Sequence, residues 1–167
     1  MDGSALLVDG FGRIAESVER VLDRLPAGHL TARVDPGANT IAWLVWHLTR
    51  VQDDHVADAF GAEQVWADGW ADRLALPFPV RATGYGHSAA DVGRVDVGAD
   101  LLLGYHRAVH ERTVELVSRV ASADLDRVVD TRWDPPVTLG VRLVSVLADD
   151  LEHVGQAAYV RGVLDRR

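Results

Sequence analysis

The stretch Val146-Leu-Ala-Asp149-Asp-Leu-Glu-His153-Val-Gly-Gln156 lies inside an apolar run that follows Asp134-Pro-Pro-Val-Thr138 and continues to about Leu164. Thr138 is placed to cap a helix there, because its hydroxyl accepts from an amide of the first turn. On that helix Asp149 and His153 are four apart and stand one above the other, with Cβ atoms about 5–6 Å apart. The spacing lets a carboxylate oxygen and an imidazole nitrogen reach one divalent ion through bonds of about 2.0–2.2 Å. Gln156 lies close by on the same side. The apolar positions of this helix run nearly all round, which predicts burial on more than one side: a bundle core on one face, a subunit partner on another.

A second signal lies upstream in Ile41-Ala-Trp-Leu-Val-Trp-His47-Leu. It reads as a helix over about 41–60, with Asn39 or Thr40 as its cap and Leu44, His47, Leu48, Val51 and His55 on one side. His47 offers a third ligand from a second helix. Three protein ligands leave a coordination position open, as catalysis requires.

Two further helices complete the pattern. Leu7, Phe11, Ile14, Val18, Val21, Leu22 and Leu25 recur at spacings of three and four, and Pro26-Ala-Gly28 ends that run. A helix beginning near Ala99 carries Leu101, Leu102, Tyr105, Val109, Thr113, Leu116 and Val120 as its inner stripe. Between the second and third helices, residues 61–98 are too many for a structureless connection in a compact domain. This crossover reads as a short helix around 65–74 followed by a loop that covers a site. The expected fold is all-α, a four-helix bundle with one long crossover, in a single domain spanning 1–167.

Composition narrows the function. Lys plus Arg number 17 against 25 Asp plus Glu, a net charge of −8, so the basic footprint of a nucleic-acid binder is missing. The chain contains no cysteine, which removes disulfides, thiolate ligands and a cysteine nucleophile. Any thiol chemistry must take its sulfur from a cosubstrate. No signal segment and no membrane-spanning run is legible, so the expected compartment is the cytoplasm, with no membrane partner.

Other histidines compete with the triad. His106-Arg-Ala-Val-His110 is a true H-x-x-x-H, a spacing that suits zinc. It lacks the Glu that a metalloprotease uses as base, and the helical wheel puts His106 at the edge of the apolar stripe with His110 beyond it, on a partly solvated face. His55 is about 12 Å from His47 along the helix at 1.5 Å per residue, too far to share an ion. His87 reads as a solvated loop histidine and His29 carries no signal. Trp66 and Trp70 read as packing anchors.

The pattern Asn39-Thr-Ile-Ala-Trp-Leu-Val-Trp-His47-Leu, with Asp149-Asp-Leu-Glu-His153-Val-Gly-Gln156 far downstream, resembles the DinB-like superfamily over nearly the whole chain. The entry Trp133-Asp-Pro-Pro-Val-Thr138 is similar to an actinobacterial mycothiol transferase branch. The resemblance implies a homodimer of four-helix bundles holding a divalent metal through His47, Asp149 and His153. Many members carry His where this chain has Asp149; a carboxylate there is similar to the mycothiol-dependent maleylpyruvate isomerase branch. Two histidines and a carboxylate suit zinc first, and also iron, nickel or manganese. The implied activity is a metal-dependent thiol S-transferase joining mycothiol to a small electrophile under the crossover, with Gln156 orienting a ligand or bound water. A hydrolase on the same site, or a metal-binding stress-response dimer without catalysis, uses the same residues.

Overall fold

Helix α1 (Gly3–Leu22) starts at Asp2, whose carboxylate accepts the Ala5 amide at 2.9 Å, and turns Leu7, Phe11, Ile14, Val18, Val21 and Leu22 into the core. The computed structural model describes residues 2–167, apart from the side chain of Ala27. A short α2 (Ala27–Thr31) leads to α3 (Ile41–Phe60). Thr40 caps α3 by accepting the Trp43 amide at 3.1 Å, and Gly61 ends it in the left-handed region at φ 62°, where glycine carries no Cβ penalty.

The crossover is structured along its length. It contains a 3-10 turn (Val65–Ala67), α4 (Trp70–Leu74) and α5 (Ala89–Val92), the last closed by a Ser88–Asp91 capping box. Helix α6 (Ala99–Val117) follows. A 3-10 turn (Ser122–Asp126) then precedes β1 (Val128–Asp130), which pairs antiparallel with β2 (Val137–Thr138), and α7 (Leu139–Leu164) starts directly from β2. This two-stranded ladder was not foreseen, because strands of three and two residues are too short to show alternation.

The four long helices enclose one core, α3 packing on α6 and α7, and α1 closing the far side against the same two. From Ile41 to Asp53 every residue of α3 is buried. Helix α3 has neighbours on all sides, being held between two long helices and the crossover. Helix α7 buries Leu143, Val146, Asp150, Val154, Ala157, Val160 and Leu164, and leaves Val141, Val144, Leu151 and Tyr159 exposed on its other side. Among the described residues, no helix is long and apolar enough to cross a membrane.

A buried polar network straps the crossover to α3. The Asp53 carboxylate accepts the amides of Val65 and Trp66 at 2.8 and 2.7 Å and the Tyr105 hydroxyl at 2.7 Å. Arg50, fully buried, donates to Tyr105 Oη at 3.1 Å, Gln64 Oε1 at 3.0 Å and the Ala82 carbonyl at 3.2 Å. Arg50 Nη1 and Asp53 Oδ2 lie 3.4 Å apart, and every nitrogen of that guanidinium and both oxygens of that carboxylate have a partner, as a buried ion pair requires. Trp66 and Trp70 pack on the Tyr105 ring, centroids 5.2 and 5.6 Å away, as the anchors expected of them.

Candidate metal centre

His47 on α3 and Asp149 and His153 on α7 come together, with one potential ligand atom of each lying within 4.8 Å of the others. That is slightly wider than two bonds of about 2.0–2.2 Å span, so a small side-chain movement closes it around an ion. The His47 and His153 rings lie 4.7 Å apart, centroid to centroid. His47 is buried, and His153 and Asp149 are partly so.

Both imidazoles are oriented by backbone. His47 Nδ1 lies 2.5 Å from the Thr83 carbonyl, and His153 Nδ1 lies 2.9 Å from the carbonyl of Asp149, one turn back. A carbonyl oxygen only accepts, so each Nδ1 carries the proton and each Nε2 keeps a free lone pair. Metal-ligating histidines are held by this kind of outer partner. Burial holds the His47 pKa below its usual value, against the hydrogen bond that the ring donates to Thr83, and so favours the neutral ring. Asp149 Oδ2 is buried with no hydrogen-bond partner, a polar atom whose desolvation a cation would offset. The donor set fits a divalent ion.

Aromatic residues wall the site. Trp43, one turn before His47, stacks on its ring at 4.6 Å and 15°. The Trp43 indole donates to His87 Nδ1 at 3.2 Å, and the His87 ring packs against Trp46 and Phe78. His87 is therefore half-buried in this wall instead of solvated; it accepts a hydrogen bond and stands outside the ligand cluster. The crossover backs His47 through Thr83 and Gly84. Gln156 is exposed one turn beyond His153, where it lines a hollow of about 410 Å³ with Ala38, Asn39, Leu44, Tyr159 and Val160.

The competing pair does not form such a centre. His106 is 1% exposed in the core, not at a solvated edge, and neither of its ring nitrogens has a partner. Burial pushes its pKa down to about 3. His110 is half-buried, and the two rings stand 6.4 Å apart. The wheel placed His106 one step too far out because α1 also covers that side of α6. His55 lies away from the triad beside Asp130 and Arg142, and His29 sits 3.4 Å from Asp165.

Several residues of the site were missed from sequence. Trp43 was legible in principle, since a ring four residues before a ligand shares its face. Thr83 and Gly84 gave no signal, because a backbone carbonyl arriving from 36 residues away leaves no mark in composition. Asp150, fully buried beside Asp149 with both carboxylate oxygens unpartnered, was read only as part of the motif.

Known proteins share this fold. A solved structure described as a conserved protein of locus from Enterococcus faecalis superimposes with a TM-score of 0.92 at 27% identity, covering 100% of this chain and 99% of that one. No curated protein matches the chain. The model of the mycothiol-S-transferase family matches residues 7–166. With an all-α DinB-like fold and a match that leaves out only the extreme ends, the chain belongs to the mycothiol-S-transferase family.

Proposed function

We propose that this protein is a metal-dependent S-transferase that joins the sulfur of mycothiol to a small electrophile, with His47, Asp149 and His153 as the metal ligands. The observation that carries the reading is the convergence of these three side chains with both imidazole Nδ1 atoms already committed to carbonyls. A divalent ion bound there, zinc first, supplies Lewis acidity that keeps a coordinated thiol ionised. His47 and His153 present neutral Nε2 atoms, and Asp149 contributes the one negative charge. Gln156, a turn beyond His153, orients the incoming thiol. Leu44, Tyr159 and Val160 offer the electrophile an apolar seat beside it. The new sulfur–carbon bond uses the thiolate's electron pair while the electrophile's bond from carbon to its leaving group breaks and that pair departs with the leaving group; the thiol proton leaves to solvent. A second copy of the chain covering Val141, Val144 and Leu151 on α7 makes the homodimer.

Metal analysis of untagged protein tests the ligand set. His153→Ala is expected to lose most of the bound metal and His106→Ala to keep it; the opposite result defeats the proposal. Transfer to a generic electrophile is then compared with mycothiol, glutathione and no thiol. Turnover that does not depend on thiol rules the transferase out.

A further inference from the structure

A second cavity, of about 280 Å³, opens between α3, α7 and the β1–β2 loop, lined by His55, Asp130, Arg132, Trp133 and Arg142. Its place relative to the triad follows from helix geometry. His55 stands eight residues beyond His47 on α3 and Arg142 seven residues before Asp149 on α7, about 10–12 Å at 1.5 Å per residue. The two helices run antiparallel, so the cavity lies along the same helix pair as the triad, and the charge of Asp149 is felt at His55.

The cavity is built rather than incidental. Asp130, buried, accepts Arg132 Nε and Nη2 at 2.9 Å each, the Arg132 amide at 2.9 Å and Arg142 Nη2 at 2.9 Å. The paired bonds from Arg132 fix its guanidinium plane, and together the four pin the loop that carries Trp133. Arg142, with only 13% of its side chain exposed, keeps its Nε buried without a partner. A buried unpaired donor is costly and awaits an acceptor. Trp133 is 65% exposed at the rim, an open indole face beside oriented polar groups.

Charge decides which ligand suits it. Two guanidinium groups face Asp130, Asp54 at 3.7 Å from His55, and Asp58, whose charge acts on Arg132. With two guanidinium groups against three carboxylates, the cavity carries no surplus of positive charge for an anion. A neutral, hydroxyl-rich group fits better: its oxygens accept from Arg142 and His55 while its C–H face lies on Trp133.

We infer that the pocket of His55, Asp130, Arg132, Trp133 and Arg142 binds the sugar portion of the thiol cosubstrate while its sulfur reaches the triad. This rests on the thiol-transferase reading. A gap of about 10 Å, three residue lengths of extended chain, is one that a thiol on a short amide arm followed by sugar rings can bridge.

The test has two arms. In the first, Trp133→Ala raises KM for mycothiol at least tenfold at unchanged metal content, and Trp133→Phe stays within threefold of the parent. If the parent transfers mycothiol and Trp133→Ala leaves KM unmoved, the inference is overturned and the transferase reading stands. The second arm needs neither metal nor chemistry: calorimetry with the sulfur-free sugar portion of mycothiol. The parent is expected to bind it and Trp133→Ala to bind at least tenfold more weakly. Absence of binding to the parent overturns the inference; binding without any thiol-dependent turnover supports it while the transferase reading falls.

Discussion

Gly84 occupies a left-handed conformation, φ 99°, pressed against His47, Trp46 and Trp43. A Cβ there would lie 2.8 Å from His47 Nδ1. Gly84→Ala is expected to lower stability by about 1–3 kcal/mol through backbone strain alone, and to push Thr83 off His47. Urea unfolding measures the first effect and metal affinity the second. His106 makes the opposite case. Its two unpartnered nitrogens are buried at a cost, so His106→Leu is expected to stabilise the fold by about 1–3 kcal/mol. The pH dependence carries the sign. Above about 6.5, neither folded nor unfolded chain protonates this ring. As pH falls from there toward about 3, only the unfolded chain does so, and stability is lost. His106→Leu flattens that part of a urea-midpoint profile; an unchanged slope contradicts the assignment.

At the scale of the element, α3 is the frame on which the crossover is hung. Arg50→Met leaves the Asp53 carboxylate buried without its cation, an alteration expected to cost about 3–5 kcal/mol. The crossover loses its tie at Ala82, so limited proteolysis within residues 76–87 should quicken more than cleavage elsewhere. Helices α1, α3, α6 and α7 were legible because each carries its own periodicity, and Thr40 and Thr138 announce their starts chemically. The strap was not legible. Arg50 and Asp53 look like the solvated face of an amphipathic helix until Tyr105 and Gln64 arrive from distant segments. Asp149 and His153 could be paired from spacing and His47 offered as a third ligand from a second helix, whereas Thr83 needed the fold.

For the molecule as a whole, burial holds five histidines below their usual pKa: His47, His55, His87, His106 and His110. Each stays neutral in the folded chain after its unfolded counterpart has charged. Stability is therefore expected to be flat above about pH 6.5 and to fall as pH decreases through and below it. Acidification also relieves the net charge of −8, which acts in the opposite direction, so a net decline marks the histidines as the stronger influence. Denaturant midpoints at intervals between pH 8 and 4 provide the check.

The chain's five tryptophans divide in a way that an experimenter can use. Trp66 and Trp70 are sealed on Tyr105, Trp46 packs on Phe78 and His87, Trp133 faces water, and Trp43 lies flat on the His47 ring. An indole stacked on an imidazole senses that ring's protonation or engagement, whereas a water-exposed indole senses what settles on its face. Fluorescence from one unlabelled protein therefore contains two separable optical channels, one tuned to the buried centre and one to the outer pocket.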